Sequence, residues 1–499
     1  MPLPAPPAFS PAEIRTIVVG LMLALFLSSL DQTIVATALP AIAGDLGGWE
    51  MIAWVVSAYL IASTVTAPIY GRLSDLFGRR PVLLVSITLF VAGAVLCALA
   101  GTMAQLIAAR VVQGLGGGGL RSVALAVVGD ILPPRERGRY QGYLSTAFGT
   151  ANVIGPVLGG LFAEYLSWHW IFWVDVPLGA AAFAMTYHQL RRLGRPGKRP
   201  VIDWLGAALI LASATPLLLG ISAVQRSGRW DSPDALASFG IGLAALVALM
   251  AWERRAPEPM LPLRLFAVRE FTLAILTTFC SSMVSVGLVV LIPLNYQLLV
   301  GLSANESGMR LIAMTLGTVT GSFLAGQMVT RFGRYRAFPL FGSSVAAVVC
   351  VALAVVGLGR SPVFDWVATM MLGLAIGGQM SPTTVAIQNA LEPRDGGIGV
   401  ACMMFFRLLG GAFGVAALSA LLIGQLAGGL PAEAAVLGAD PGLALFRPDR
   451  RAALPPAVLE ALTGPLADAF TMVFVACAAI LVCGALAAFS LKDLPLRER

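Results

Sequence analysis

Fourteen apolar stretches divide the 499-residue chain, near 14–39, 52–71, 81–101, 104–129, 140–163, 169–190, 204–222, 235–252, 271–299, 307–329, 337–358, 364–388, 397–424 and 468–491. Each is long enough to cross a bilayer as a helix, which takes about 20 residues at a rise of about 1.5 Å. Hydrophobic residues make up 58% of the chain and charged residues 12%, against about 25% charged in a soluble protein. That leaves too little polar surface to cover several water-soluble cores. The sequence therefore specifies an all-α integral membrane protein and excludes a soluble multidomain enzyme. The first apolar stretch is too long for a signal-peptide core and carries Asp31, so it is expected to be a retained span.

The net charge of +7 points to nucleic acid only until it is mapped. Numbering the gaps alternately, both tails and the even-numbered gaps hold 23 of the 33 Lys and Arg residues, including Arg135, Arg137 and Arg139. The odd-numbered gaps hold seven, and Arg110, Arg121 and Arg407 fall inside spans. Clusters of this kind set topology and place both termini in the cytoplasm, with no nucleic-acid partner. Trp168, Trp170, Trp204, Trp230, Trp252 and Trp366 fall at stretch ends as interfacial anchors. All six cysteines lie in apolar runs without a CxxC pair, and His169 and His188 have no partners that suggest a metal. No disulfide framework, metal or cofactor is expected. The excess of Arg over Lys, 31 to 2, suggests a GC-rich bacterial genome. The bacterial inner membrane is the expected location.

An internal repeat orders the spans. Gly71-Arg-Leu-Ser-Asp-Leu-Phe-Gly-Arg79 returns as Gly326-Gln-Met-Val-Thr-Arg-Phe-Gly-Arg334, and Gly114-Leu115, Gly118-Gly119 and Gly138 return as Gly373-Leu374, Gly377-Gly378 and Gly397. Eight spans separate the copies, so both cross the membrane in the same direction. The reading is two parallel six-helix bundles, 14–190 and 271–491, joined by 191–270 with two extra spans, between cytoplasmic tails 1–13 and 492–499. An Ala-, Pro- and Gly-rich segment, 425–467, is expected as an outer loop. Parallel six-helix repeats are one transporter architecture, with substrate bound near the midplane between halves.

The residues that break apolar runs are the functional candidates. Asp31 lies deep in the first span, where an acid costs roughly 2.5–3.5 kcal/mol and needs a partner or a wet cavity. It reads as a protonation site or as a polar staple between helices. Taking the first span to end near 39, helical rise puts Arg110 at similar depth, so the two can pair. Arg407 falls near the middle of its span and reads as cavity-facing, without a named partner. Gln113, Asn152, Asn295, Tyr296, Gln297, Gln379, Thr383 and Gln388 are candidate cargo-cavity residues or interhelical hydrogen-bonding groups. Gly114 to Gly119 formally matches GxGxxG, but no strand precedes it, and close helix packing explains it better.

Taken together, the motifs resemble the fourteen-span drug–proton antiporters of the major facilitator superfamily (EmrB/QacA type). Leu30-Asp-Gln-Thr-Ile-Val-Ala-Thr-Ala-Leu-Pro40 resembles that family's first span, and Gly71 to Arg80 its loop between spans 2 and 3. Arg110-Val-Val-Gln113-Gly114 resembles its fourth-span motif, and Gly149, Gly155, Pro156, Gly159 and Gly160 its antiporter motif. The resemblance implies that Arg110 tunes the acid at Asp31. It also implies that Gly71, Asp75, Gly78, Arg79 and Arg80 form a cytoplasmic latch. Three residues depart from the pattern: Asp175, where Asn is commoner; Thr330, in place of the acid in the second latch copy; and Arg121, an extra cation. The implied activity is proton-coupled export of small amphipathic organic compounds or drugs by alternating access. A dedicated lipid, siderophore or metabolite exporter is the alternative, and a membrane-embedded enzyme a remote one. The partners expected of a monomer are protons, the cargo and the lipid bilayer, with a periplasmic adaptor as a further candidate.

Overall fold

A computed structural model describes residues 10–47, 51–192, 203–227, 230–257, 259–302, 304–392, 395–428 and 456–492. Among them there is no β-strand. The helices of the first half are α1 (Pro11–Leu46), α2 (Ile52–Phe77), α3 (Arg79–Ala98), α4 (Met103–Ile131) and α5 (Pro134–Tyr165), followed by α6 (His169–Trp173) and α7 (Asp175–Gln189), which share one span. Two helices follow, α8 (Trp204–Ser227) and α9 (Pro233–Glu253), then the short α10 (Arg264–Ala267). The second half comprises α11 (Arg269–Asn295), α12 (Ala304–Phe332), α13 (Ala337–Val356), α14 (Pro362–Ala390), α15 (Gly396–Gly428) and α16 (Pro456–Phe489). A π-helical turn, Tyr296–Val300, extends α11.

Among the described residues, thirteen helical spans are long and apolar enough to cross a bilayer. The fourteenth long helix, α5, falls short because Gly, Ser, Thr and Tyr stud its 32 residues. It does not face lipid alone, being lodged between α1 and α12. Several boundaries differ from the sequence reading. Helix α1 begins with a capping box, Ser10 with Glu13, and runs to Leu46 rather than stopping near 39. Helix α16 begins at Pro456 and α15 continues to Gly428, so much of the expected 425–467 loop is helical at its ends. Residues 429–455 lie outside the described residues, as do 1–9, 193–202 and 493–499. Most of the expected 191–200 linker and both extreme tails fall there.

The two halves follow one packing plan. Helix α1 packs on α5 and α7, and α2 and α3 pack on α4; likewise α11 packs on α15 and α16, and α12 and α13 on α14. The halves meet along two seams, α5 against α12 and α2 against α15. The extra pair packs on itself, and α8 leans across the second seam. There Ile210, Ala214 and Leu218 share a buried cluster with Val65 of α2 and Ala416 of α15. The outer face of α9 exposes Leu236, Ile241, Leu243 and Val247, as a lipid-facing helix does.

Candidate functional site

Small residues let the first half close tightly around a buried ionic cluster. A Cβ at Gly93 of α3 would run into the backbone of Gln113, one at Gly116 into Phe90, and one at Gly114 into Tyr59. The glycine run of α4 is thus a packing surface against α2 and α3. Helix approach through small residues is the usual means of close packing in membranes.

The cluster lies on these faces. Asp31 of α1 and Arg110 of α4 are both fully buried. One terminal nitrogen of Arg110 donates to both carboxylate oxygens of Asp31 at 2.8 Å and to Gln113 Oε1 at 2.7 Å. Its Nε donates to the Val55 carbonyl at 3.0 Å, and its guanidinium lies 4.4 Å from the centre of the Tyr59 ring. Gln113 is the bridge: its Nε2 donates to Asp31 Oδ1 at 2.9 Å and to Asp175 Oδ2 at 3.1 Å. Asp175 opens α7, where the break after α6 turns its carboxylate inward. It too is fully buried, and its Oδ1 has no hydrogen-bond partner. Two carboxylates and one guanidinium therefore share a buried compartment, where unpaired charge is expensive.

A second ionic group lies where α2 meets α3 and the start of α15. Asp75 of α2 accepts from the Ile398 backbone N–H at 2.9 Å, in the first turn of α15. That pairs an anion with the positive end of a helix in the other half. Arg79 is 2.5 Å from Asp75 and 2.6 Å from Asp130 of α4, and it donates to Ser74 Oγ. A Cβ at Gly71 would collide with Ala401, so this glycine sets the closeness of α2 and α15. Gly78 joins α2 to α3 with φ 94°, a conformation that favours glycine. Arg80 donates to the Tyr187 carbonyl at 3.1 Å. In the second copy, Thr330 of α12 accepts from the Arg139 backbone N–H of α5 at 3.0 Å. Gly326 and Gly138 press together there as Gly71 and Gly397 do across the other seam.

In the antiporter motif, Gly149 faces Val319 of α12 and Gly155 faces Thr33 of α1. Gly159 is buried, and the side-chain surroundings of Asn152, Pro156 and Gly160 lie outside the described residues. Helix α5 stays continuous through this segment.

Several expected cargo-cavity residues are placed otherwise. Gln113 belongs to the Asp31 cluster. Gln379 accepts from Ser281 and Ser343 at 2.8 and 2.9 Å, tying α14 to α11 and α13. Thr383 bonds its own helix, and Gln388 Nε2 donates to the Leu125 carbonyl of α4 at 3.2 Å, across the halves. In an apolar interior such groups satisfy one another. Asn295 and Tyr296 are buried, Tyr296 beneath the Arg310 guanidinium at 4.8 Å. Gln297 and Arg407 are half-buried. A surface concavity of about 670 Å³, lined by Ser167, His169, Trp170, Trp173, Val176 and Pro177, belongs to α6 and α7 rather than to the centre.

Sequence reasoning missed Asp130, which ends α4 and resembles any interfacial charge. It also missed Asp175 as a cluster member, since an acid at a span's start looks like loop. Arg121 stood out only as an extra cation, whereas its Nε donates to Ser28 Oγ at 3.0 Å and its terminal nitrogen to Gln32 Oε1 at 3.0 Å. Among the described residues, no group of His, Cys, Asp and Glu could hold a metal ion.

Comparisons with known proteins agree with this architecture. The family described as the Major Facilitator Superfamily matches residues 21–415. An MFS-type transporter of Mycobacterium tuberculosis is 34% identical over 493 residues, covering 99% of this chain and 71% of that protein. The multidrug transporter protein MdtP of Bacillus subtilis is 35% identical, covering 82% of this chain and 75% of that protein. Multidrug resistance protein 3 of the same organism is 31% identical, with 93% and 92% covered. Among solved structures, the human organic anion transporter MFSD10 superposes with a TM-score of 0.64 at 18% identity, over 96% of this chain and 100% of that one. The proton:xylose symporter XylE does so with a TM-score of 0.64 at 13% identity, over 97% of each chain.

Proposed function

Because the chain belongs to the major facilitator superfamily, whose members are multi-pass membrane transporters rather than enzymes, we propose that it is a proton-coupled exporter of amphipathic organic compounds. It works by alternating access in a bacterial cytoplasmic membrane, as a monomer with both termini inside. The multidrug and efflux names of its relatives support export as the direction. The observation that carries proton coupling is the sealed cluster of Asp31, Arg110, Gln113 and Asp175.

Ionised, Asp31 holds Arg110 through both carboxylate oxygens and so pins α1 to α4. Protonation removes most of that attraction and leaves Arg110 with Gln113 and the Val55 carbonyl. Helices α1 and α4 then settle differently against their neighbours. A proton that binds one arrangement better than the other shifts their populations, and the cargo does the same in the opposite sense. Coupling to the membrane potential supplies about 2.3 kcal/mol per charge per 100 mV. The contacts between the halves described above gather toward the cytoplasmic ends, where the Asp75–Ile398 and Thr330–Arg139 bonds lie. This supports a carrier closed to the cytoplasm and directed outward.

Export into everted vesicles tests the proposal. Wild-type protein is expected to accumulate cargo in a protonophore-sensitive manner, and Asp31→Asn to insert normally but lose accumulation while retaining downhill exchange. Full accumulation by Asp31→Asn would move the coupling site elsewhere, and Asp175→Asn would be the next variant to measure.

A further inference from the structure

Two guanidinium groups in the centre of the molecule have no acid partner among the described residues. Arg121 lies ten residues from Ile131, at the inner end of α4, a depth of about 15 Å by helical rise. Arg407 lies eleven residues from Gly396, at the inner end of α15, a depth of about 16 Å. The helices come from opposite halves, run in opposite directions and are in contact. One turn inward of each cation, Leu125 packs into the buried cluster that holds Met403, with Phe406 against it. Arg121 and Arg407 therefore lie at the same level on two helices that pack across the halves, one turn from an apolar cluster that includes Leu125, Met403 and Phe406.

The partners of the two cations differ from those of Arg110. Arg121 is held by neutral oxygens, those of Ser28 and Gln32. Arg407 donates no side-chain hydrogen bond among the described residues, while its carbonyl accepts from Ser282 of α11 at 2.6 Å, which fixes its backbone. Among the described residues, Arg121, a second cation, is close enough to Arg407 to repel it. Both lie too deep for their side chains to reach lipid headgroups, and two facing cations at membrane depth are costly unless something negative joins them. Guanidinium groups match carboxylate and other oxyanions in planar, paired hydrogen bonds.

We propose that Arg121 and Arg407 form an anion-recognition site between the halves, so that the preferred cargo is an amphipathic organic anion, a carboxylate or sulfonate. This rests on the exporter reading above and narrows it. The proton site stays separate, because Arg110 is already neutralised by Asp31. A cationic amphiphile meets two like charges at this level and is disfavoured there.

Two xanthene dyes of opposite charge, fluorescein and tetramethylrhodamine methyl ester, test the site by fluorescence anisotropy on the full-length protein in lipid nanodiscs. Wild type is expected to bind fluorescein more tightly than the cationic ester. Arg121→Gln and Arg407→Gln are each expected to weaken fluorescein by about tenfold, the loss of about 1.4 kcal/mol, while leaving the ester unchanged or tighter. Retained ester binding shows that the variants are folded, and Arg407→Lys should recover part of the anion affinity. Fluorescein binding that is absent from wild type, or equal in wild type and both variants, overturns the proposal. Proteoliposomes with an imposed proton gradient separate the two readings. Driven movement of the ester but not of fluorescein overturns the anion site and leaves the exporter. Charge-selective binding without driven movement of either dye overturns the exporter and leaves the anion site.

Discussion

Between α1, α4 and α7 of the first half, the central polar positions hold two carboxylates and a guanidinium, bridged by Gln113. Between α11, α13 and α14 of the second half they hold Gln379 with Ser281 and Ser343, all neutral. The cytoplasmic ends repeat the contrast. Asp75 clasps the start of α15 with a charge that Arg79 and Asp130 extend into a network, whereas Thr330 clasps α5 with a hydroxyl. Helix order, packing partners and glycine contacts are duplicated in the two halves, but the two-carboxylate cluster lies in the first, while the second pairs Asp365 with Arg310 near the starts of α14 and α12. Duplication thus preserves a scaffold for two moving bodies while the proton is handled on one side. The neutral bonds at the centre of the second half do not depend on pH.

Breaking the charged side should cost most. Arg110→Gln leaves two buried acids without their cation, and removal of one partner from a buried pair costs about 3–5 kcal/mol. A large fall in thermal stability in detergent is expected, partly restored by adding Asp31→Asn. Wild-type melting of Arg110→Gln would show that the cluster is not ionic in the folded protein. Asp75→Asn should come next. A hydrogen bond to a charged group is worth about 1.5–3 kcal/mol, so its loss should open the Asp75 side by about tenfold or more, read as faster labelling of cysteines introduced there.

Thr330→Val removes a neutral bond worth about 0.5–1.5 kcal/mol and should shift the same labelling less. Equal shifts from the two variants would mean that glycine contact, rather than the charge of Asp75, holds the halves together. The smallest effect on coupling belongs to Gln379→Leu. It should loosen α14 by about 1 kcal/mol and leave the proton dependence of transport as in wild type. A changed proton dependence would place titration in both halves.

Much of this contrast was legible in the sequence, because an acid or base inside an apolar run is costly and therefore conspicuous. Asp31 and Arg110 stood out in this way, and the Gly71 to Arg79 repeat exposed the degenerate copy at Thr330. The depth argument that paired Asp31 with Arg110 used the wrong outer end for α1, which continues to Leu46. Their meeting depends on how α1 and α4 cross, which helical rise alone does not contain. Asp175 and Asp130 were hidden because span-end charges are ordinary, and only the turn after α6 and the junction of α2 with α3 give these two partners. The polar residues of α14 were left open between a cavity and interhelical bonds for a similar reason. Spacing along a helix tells which residues share a face, but not whether that face meets another helix or water. Where the extra helices dock, against α2 and α15, left no mark in their apolar sequence.

The central claim is that cargo movement and proton movement pass through Asp31. Proteoliposomes enclosing a pH-sensitive dye measure both at once when cargo is added to one side. Wild type and Gln379→Leu are expected to move protons in proportion to cargo, and Asp31→Asn to exchange cargo with no proton signal. A cargo-dependent proton signal of wild-type size in Asp31→Asn would contradict the account.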